Sequence, residues 1–154
     1  MNQSIQISGN IISSGHPIFI IAEAGVNHNG DINLAKQLII EAKKAGADCI
    51  KFQTFKAERV ASIQAPKAKY QLQTTNPDET QVDMLKKLEL SAENHKILFE
   101  FATKEGIIFM STPYNKEDVD YLDDLGVPAF KLASISCVEP SFLRYVAKKN
   151  KPVV

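Results

Sequence analysis

Polar side chains that suit an anionic ligand follow or interrupt four apolar segments of this 154-residue chain. Glu23 comes directly after the apolar run 18–22, while Lys51 and Lys131 lie within two later runs. A lysine in an apolar strand is costly unless its ammonium meets an anion or a water-filled cavity. The pattern therefore predicts a site for an anion. Other polar residues lie at equivalent points of the four segments: Gln53, Thr54, Ser111, Thr112 and Ser134.

Each of these charged residues also has a structural interpretation. Side chains alternate along a strand, so either lysine can instead point outward and reach solvent between helices. Glu23 can instead accept backbone N–H groups of the loop that comes after it. Two lysines at the same point of a repeated pattern favour the functional interpretation, and the sequence leaves both open.

The apolar segments alternate with helical patterns, which predicts an α/β fold. Helix starts are predicted near 31–33, at the caps Ser91 and Asn115 and in the first turn at Pro140. The polar stretch 56–78 is long for a strand-to-helix connection, so we expect a functional, mobile rim loop there. Strands are predicted at 18–22, 48–55, 107–112 and 127–134, with a fifth beginning at 151–154, and a further helix at 79–90.

Two α/β architectures fit this order of elements: an open doubly wound sheet and a (β/α) barrel. Neither glycine-rich nucleotide-binding motif is present in the sequence, which favours the barrel. In a barrel, the carboxyl ends of the strands share one rim. We therefore expect Glu23, Lys51, Thr112 and Lys131 to face a common cavity.

Composition narrows the range of functions. The chain has 18 basic and 18 acidic residues without a block of like charge, so we expect no nucleic-acid or membrane partner. Its two cysteines predict a reduced, cytoplasmic setting, with Cys137 as a buried or half-buried thiol. The three histidines have no spacing typical of a metal site. We expect His28 in a solvated turn, within a 27–30 loop able to adopt positive φ, and His95 in a structural or exposed position.

Five motifs in order resemble the sialic acid synthase family, which makes nonulosonic acids from phosphoenolpyruvate and an N-acylated hexose. They cover nearly the whole chain: IIAEAGVNHNG at 20–30, GADCIKFQT at 46–54, APKAKYQ at 65–71, STPY at 111–114 and FKLAS at 130–134. The resemblance implies a (β/α)8 barrel of TIM type preceded by a small hairpin. Residues 1–154 would be its N-terminal part, with four βα units.

The resemblance also implies features outside this chain. These are the second half of the barrel, an antifreeze-like domain that makes the full-length protein a homodimer, and two histidines that hold a divalent metal, Mn²⁺ or Mg²⁺. The chain alone is then expected to be inactive. The 65–71 motif resembles sialic or legionaminic acid synthases more than pseudaminic acid synthases. A spore-coat or 3-deoxy-ulosonate synthase, and a non-catalytic half-barrel that binds sugars or a partner, are the alternatives.

The family's residue roles carry over by position. Lys51 and Lys131, assisted by Thr112 and Ser134, would hold the phosphate and carboxylate of phosphoenolpyruvate. Gln53 would contact sugar hydroxyls, and Glu23 would be the catalytic carboxylate. This chain departs from the family at Ser136, where many members have an acidic residue. That substitution bears on activity or on the choice of sugar.

Overall fold

The computed structural model describes residues 4–62, 67, 72, 76 and 79–154. Its first elements are the antiparallel strands β1 (Ile5–Ile7) and β2 (Asn10–Ile12). Ser8 and Gly9 between them have φ angles of 47° and 85°, the conformation of the tight turns that join paired strands. The expected N-terminal hairpin is therefore present.

Three parallel strands form the main sheet, in the order β3 (Ile21–Gly25), β4 (Cys49–Thr54) and β5 (Ile108–Pro113). In this register Glu23 lies beside Lys51, and Gln53 lies beside Thr112. Helices connect the parallel strands, so the predicted α/β class is confirmed. The register already brings the polar strand ends to one edge of the sheet.

The first strand of the main sheet begins three residues later than the sequence predicts, because pairing with β4 starts at Ile21 and Cys49. Ile20 instead donates its N–H to the Asp48 carboxylate at 2.7 Å. The side chains before the strand are open to solvent, with Ile18 85% and Ile20 53% exposed. The run 18–22 is thus only partly strand, and Ile18 and Ile20 lie outside the core.

The predicted fourth strand, at 127–134, is reduced to one parallel bridge between Phe130 and Val153. Phe130 donates its N–H to the Pro152 carbonyl and accepts from Val154, at 3.0 and 2.9 Å. Pro128 has no N–H to give to a ladder, and the chain turns into a 3₁₀ helix at Ser134–Val138. Val153 lies in the segment where a further strand was expected.

The helices begin where capping residues predict. Asp31, Ser91 and Asn115 each accept backbone N–H groups of the first turn, and Pro140 opens the last helix. Among the described residues, no helix is long and apolar enough to cross a bilayer. The helices are α1 (Ile32–Lys44), α2 (Ala57–Val60), α3 (Gln81–Lys86), α4 (Ala92–Glu105), α5 (Lys116–Leu125) and α6 (Pro140–Ala147).

The stretch 56–78 starts with α2, which the sequence did not predict. Most of its remaining residues, at 63–66, 68–71, 73–75 and 77–78, lie outside the described part of the chain. The mobile rim loop therefore stays a prediction. The helix expected at 79–90 is confirmed in its central part as α3.

Alternation along the strands separates two apolar layers. Ile50, Phe52 and Phe109 pack outward against the helices, and the rings of Phe52 and Phe109 stack with centroids 5.5 Å apart. On the opposite face, Cys49 and Met110 pack with Ile7 of the hairpin and with Ala129. Both faces of the parallel sheet therefore carry packed apolar residues. We call the hairpin side the inner face.

The loop after β3 contains the expected positive φ angles, 49° at Asn29 and 77° at Gly30. A Cβ on Gly30 would lie 2.5 Å from the carbonyl oxygen of Lys87. Glycine therefore serves two purposes here, since it permits the backbone angle and allows the turn after α3 to approach closely.

Replacing Gly30 with alanine tests this close approach. Gly46 is a matched control because its φ is 81° and a Cβ there would meet nothing within 4 Å. Gly46→Ala should cost about 1–2 kcal/mol for the backbone angle alone. Gly30→Ala should cost about 1–3 kcal/mol more, from forced displacement of Lys87. Equal losses in urea unfolding would show that the contact is unimportant.

Candidate active site

An ammonium, a carboxylate and a hydroxyl meet at the carboxyl ends of the three parallel strands. The Lys51 Nζ lies 2.8 Å from the Glu23 Oε1 and donates to the Thr112 Oγ1 at 3.1 Å. Lys51 is only 5% exposed and shares a face of β4 with Cys49, which packs on the inner face. The structural alternative, a lysine reaching out between the helices, is therefore wrong for Lys51.

A β-bulge aims the carboxylate at this lysine. The pairing of β3 with β4 shifts between Glu23 and Gly25, so that Ala24 has no opposite residue in β4. Gly25 has φ 53°, and a Cβ there would lie 2.9 Å from the Glu23 Oε1. Bulges commonly redirect a side chain next to a site. Here the glycine leaves the space that the Glu23 carboxylate occupies.

Gln53 reaches the same point from β4. Its Nε2 lies 3.5 Å from the position that a Cβ on Gly25 would take, and its Oε1 accepts the Tyr114 O–H at 3.2 Å. The sequence did not single out Tyr114 as a site residue. The sequence did offer one indication of its role, because Tyr114 directly follows the last residue of the strand that carries Thr112.

The described residues do not use the full hydrogen-bonding capacity of Lys51. Lys51 has three N–H groups, and two of them go to Glu23 and Thr112 within the described residues. The Glu23 side chain is 57% exposed, so it is accessible from solvent while its partner is buried. One N–H group of Lys51 thus remains for a further oxygen acceptor.

Lys131 and Ser134 have different surroundings. Lys131 is half-buried and donates to the carbonyl of Leu132 at 2.8 Å. It lies two residues after Ala129, which packs on the inner face. Ser134 is exposed at the start of the 3₁₀ helix rather than at a strand end. The structure thus groups Glu23, Lys51, Gln53 and Thr112, and among the described residues no hydrogen bond or ion pair joins Lys131 or Ser134 to them.

The region around Ser134 differs from expectation in one further respect. Cys137 is exposed, so its assignment as a buried or half-buried thiol is wrong. Cys137 lies within the 3₁₀ helix, whose buried residue is Ser136. Ser136, the departure from the family pattern, is buried and donates its N–H to the Ala133 carbonyl at 3.0 Å.

A buried polar network supports the strand ends from the helix side. His95 on α4 bonds through Nδ1 to the carbonyl of Ser91 at 3.0 Å, so Nδ1 carries the proton. Its Nε2 then accepts the O–H of Thr54 at 2.8 Å, and Thr54 accepts from Ser111 at 2.7 Å. Burial lowers the pKa of His95, which favours the neutral ring. Its structural role is confirmed, and it fixes β4 and β5 next to Gln53 and Thr112.

His28 is buried, with 1% of its surface exposed, so its assignment to a solvated turn is wrong. Its Nδ1 accepts the N–H of Gly30 at 3.0 Å, and its ring lies 6.0 Å from that of Phe52. The tight backbone of Gly30 turns the ring inward, which sequence spacing alone does not show. Burial lowers the pKa of His28.

The described residues include no group of three or more His, Cys, Asp and Glu side chains suited to a metal ion. Cys49, the other thiol, is buried on the inner face, and burial raises its pKa to about 12. A thiol with so high a pKa is a poor nucleophile. Cys49 is therefore not a candidate nucleophile.

Asp118 holds the segment that carries Tyr114. Its Oδ2 accepts the backbone N–H groups of Tyr114 and Asn115, both at 3.2 Å, as part of the capping box of α5. Burial raises the pKa of Asp118 to about 6, although these two hydrogen bonds act in the opposite direction. Near neutral pH, the ionised form of Asp118 is therefore less favourable in the folded chain than in the unfolded chain.

The Glu23–Lys51 pair can be tested by stability. Glu23→Gln leaves a buried ammonium without its carboxylate and should cost about 1–3 kcal/mol. Glu41→Gln is the control, since it breaks the exposed pair of Glu41 with Lys44, also 2.8 Å long, and should cost under about 0.5 kcal/mol. The double variant Glu23→Gln/Lys51→Met should recover part of the loss. Equal small losses in urea unfolding of the two single variants would contradict the interpretation.

The raised pKa of Asp118 predicts a pH dependence of stability. The ordinary value is 3.8 and the folded value is about 6, so between these pH values the folded chain holds a proton that the unfolded chain has released. Its stability relative to Asp118→Asn should therefore fall as pH rises from about 4 to about 6, and then level off. Asp124→Asn, an exposed change on the same helix, is the control. A difference that rises with pH in this window would contradict the prediction.

Comparison with known proteins identifies the family. The NeuB family profile matches residues 38–154. N,N'-diacetyllegionaminic acid synthases are 51% identical over 135 residues in Campylobacter jejuni and 47% identical over 136 residues in Legionella pneumophila, each match covering 88% of this chain. The crystal structure of a sialic acid synthetase from Leptospira borgpetersenii superposes with a TM-score of 0.84 and 32% identity over 99% of this chain.

These relatives are longer than the chain. The matches cover 40% and 38% of the two legionaminic acid synthases and 49% of the Leptospira structure. The likeness to the Leptospira structure confirms the predicted TIM-barrel type, of which the parallel sheet and its helices form a part. The fold, the motifs and the family profile agree, and the chain belongs to the NeuB family.

Proposed function

We propose that the protein containing this chain condenses phosphoenolpyruvate with an N-acylated hexose to give a sialic-acid-like nonulosonic acid and inorganic phosphate. The observation that carries the proposal is the buried Lys51 ammonium between Glu23 and Thr112, at the rim where strands end. Membership of the NeuB family supports the same chemistry, since its relatives are nonulosonic acid synthases. The two legionaminic acid synthases favour an N-acetylated sugar.

Lys51 and Thr112 are proposed to bind an anionic oxygen of phosphoenolpyruvate. The third N–H group of Lys51 supplies a charge-assisted hydrogen bond, and a buried ammonium loses little further solvation when it binds. Lys131 and Ser134 are proposed to hold the other anionic group. For Lys131 this requires the Nζ to leave the Leu132 carbonyl, a neutral acceptor that an anion readily replaces.

Glu23 is the proposed catalytic carboxylate. In the reaction, C3 of phosphoenolpyruvate bonds to the aldehyde carbon, and the aldehyde oxygen takes up a proton to become a hydroxyl. Water adds to C2 and loses a proton, and the bond between C2 and the phosphate oxygen breaks. A half-exposed carboxylate can orient that water and stabilise the positive charge on C2. Gln53, beside it, is proposed to contact the sugar.

Other parts of the proposal lie outside the described residues. The divalent cation that the family resemblance implies finds no ligand group in them, so we assign it no step. We propose that its ligands, the rest of the barrel and the contacts of a homodimer come from further residues of the protein. The chain alone is then inactive. The unpaired thiols Cys49 and Cys137 support a reducing, cytoplasmic setting.

Binding of phosphoenolpyruvate tests the anion site directly. Lys51→Met should weaken it about tenfold to hundredfold, because one charge-assisted contact is lost. Lys131→Met should have an effect of similar size. Lys44→Met is the control, since Lys44 is exposed on α1 and pairs only with Glu41 in the described structure. Calorimetric titration of the folded variants gives the affinities, and circular dichroism confirms that they fold.

Activity needs a complete barrel, which can be built by joining this chain to the part of the C. jejuni synthase that lies beyond the match. Phosphate release is measured with phosphoenolpyruvate, Mn²⁺ and an N-acetylated hexose. The proposal is supported if the joined protein turns over, if Glu23→Gln abolishes this turnover, and if Lys44→Met leaves it unchanged. Phosphoenolpyruvate binding without any turnover in the joined protein would favour a binding module instead.

A further inference from the structure

We propose that Tyr114 is a positioning residue that fixes the side-chain amide of Gln53, so that Gln53 presents its NH₂ group to an acceptor oxygen of the sugar. This inference rests on the proposed function. It adds Tyr114 to the sugar site and specifies that Gln53 acts there as a hydrogen-bond donor. It concerns the part of the site that sequence reasoning missed.

The first support is the hydrogen bond between the two side chains. The Tyr114 hydroxyl donates to the Gln53 Oε1 at 3.2 Å. A glutamine amide is planar, with its oxygen and nitrogen on opposite sides of the terminal carbon. Once Oε1 faces Tyr114, Nε2 has to face the other way. In this arrangement the NH₂ group is the end of the amide that points away from the tyrosine.

The second support comes from the opposite side of the amide. The Glu23 Oε1 and the Gln53 Nε2 lie 2.9 and 3.5 Å from the same point, the place of an absent Cβ on Gly25. An ionised carboxylate only accepts hydrogen bonds, so it attracts the NH₂ group and repels the amide oxygen. The hydroxyl and the nearby carboxylate thus favour the same orientation.

The third support is that Tyr114 is itself held in place. Its backbone N–H donates to the Asp118 Oδ2 at 3.2 Å, at the start of α5. Its ring meets the Phe55 ring edge-on, with centroids 5.9 Å apart and planes at 76°. A ring fixed at both backbone and side chain presents its hydroxyl in one direction. Such rigidity is what a positioning residue needs.

The consequence is a site that distinguishes acceptors from donors. Gln53 with a fixed NH₂ group binds a hydroxyl or acyl oxygen through its lone pairs. Without the Tyr114 hydroxyl, only the carboxylate orients the amide, and part of the population turns its oxygen toward the ligand. Sugar binding should then weaken, while phosphoenolpyruvate binding through Lys51 and Thr112 should not change.

The test compares Tyr114→Phe with Tyr145→Phe. Tyr145 also uses its hydroxyl as a donor, to the Asp120 carboxylate at 2.7 Å, but it lies between α5 and α6, away from the site. The side-chain NH₂ resonances of Gln53 are assigned by their loss in Gln53→Leu. Tyr114→Phe should shift or broaden these resonances, and Tyr145→Phe should leave them in place.

The second part of the test measures the affinity of the same variants for N-acetylmannosamine and, separately, for phosphoenolpyruvate. Tyr114→Phe should weaken sugar binding about threefold to tenfold and leave phosphoenolpyruvate binding unchanged. Unchanged Gln53 resonances would overturn the inference, and so would equal weakening of both ligands. If the wild-type chain and the joined protein bind neither ligand, the proposed function fails, while the Gln53 resonances still decide whether Tyr114 orients the amide.

Discussion

The buried ammonium of Lys51 imposes the main constraint on this structure. A cation with so little exposure needs close oxygen partners, and two neighbouring strands supply them, Glu23 from β3 and Thr112 from β5. The bulge at Gly25 and the register of β5 both meet this need. The stability of the strand ends and the chemistry at the rim therefore depend on the same few contacts.

The outer face of the strands secures the inner one. Thr54 and Ser111 alternate with Lys51, Gln53 and Thr112, and they bond to each other and to His95 on α4. Because every hydrogen of this network has one acceptor, the helix and the two strands fit together in one relative position. The polar layer thus adds direction to the non-directional packing of Phe52 and Phe109.

Local patterns predicted much of this architecture and part of the site. Caps such as Asp31 and Asn115 act within one turn, so their neighbours in sequence suffice to identify them. The start of β3 depends on where β4 begins, and the burial of His28 depends on the fold of its loop; neither is a local property. Tyr114 acquires its role only through Gln53, which is distant in sequence. For the same reason, the sequence could not show that, in the described part of the chain, no hydrogen bond or ion pair joins Lys131 or Ser134 to Lys51.

The alternation of β4 also bears on how such a protein can evolve. A single inserted or deleted residue in this strand would exchange its two faces, moving the Lys51 charge into the apolar layer and Phe52 into the site. Changes of length are therefore expected in the connections between elements. Within β4 itself, new ligand preferences have to arise by substitution, because the length of the strand is fixed.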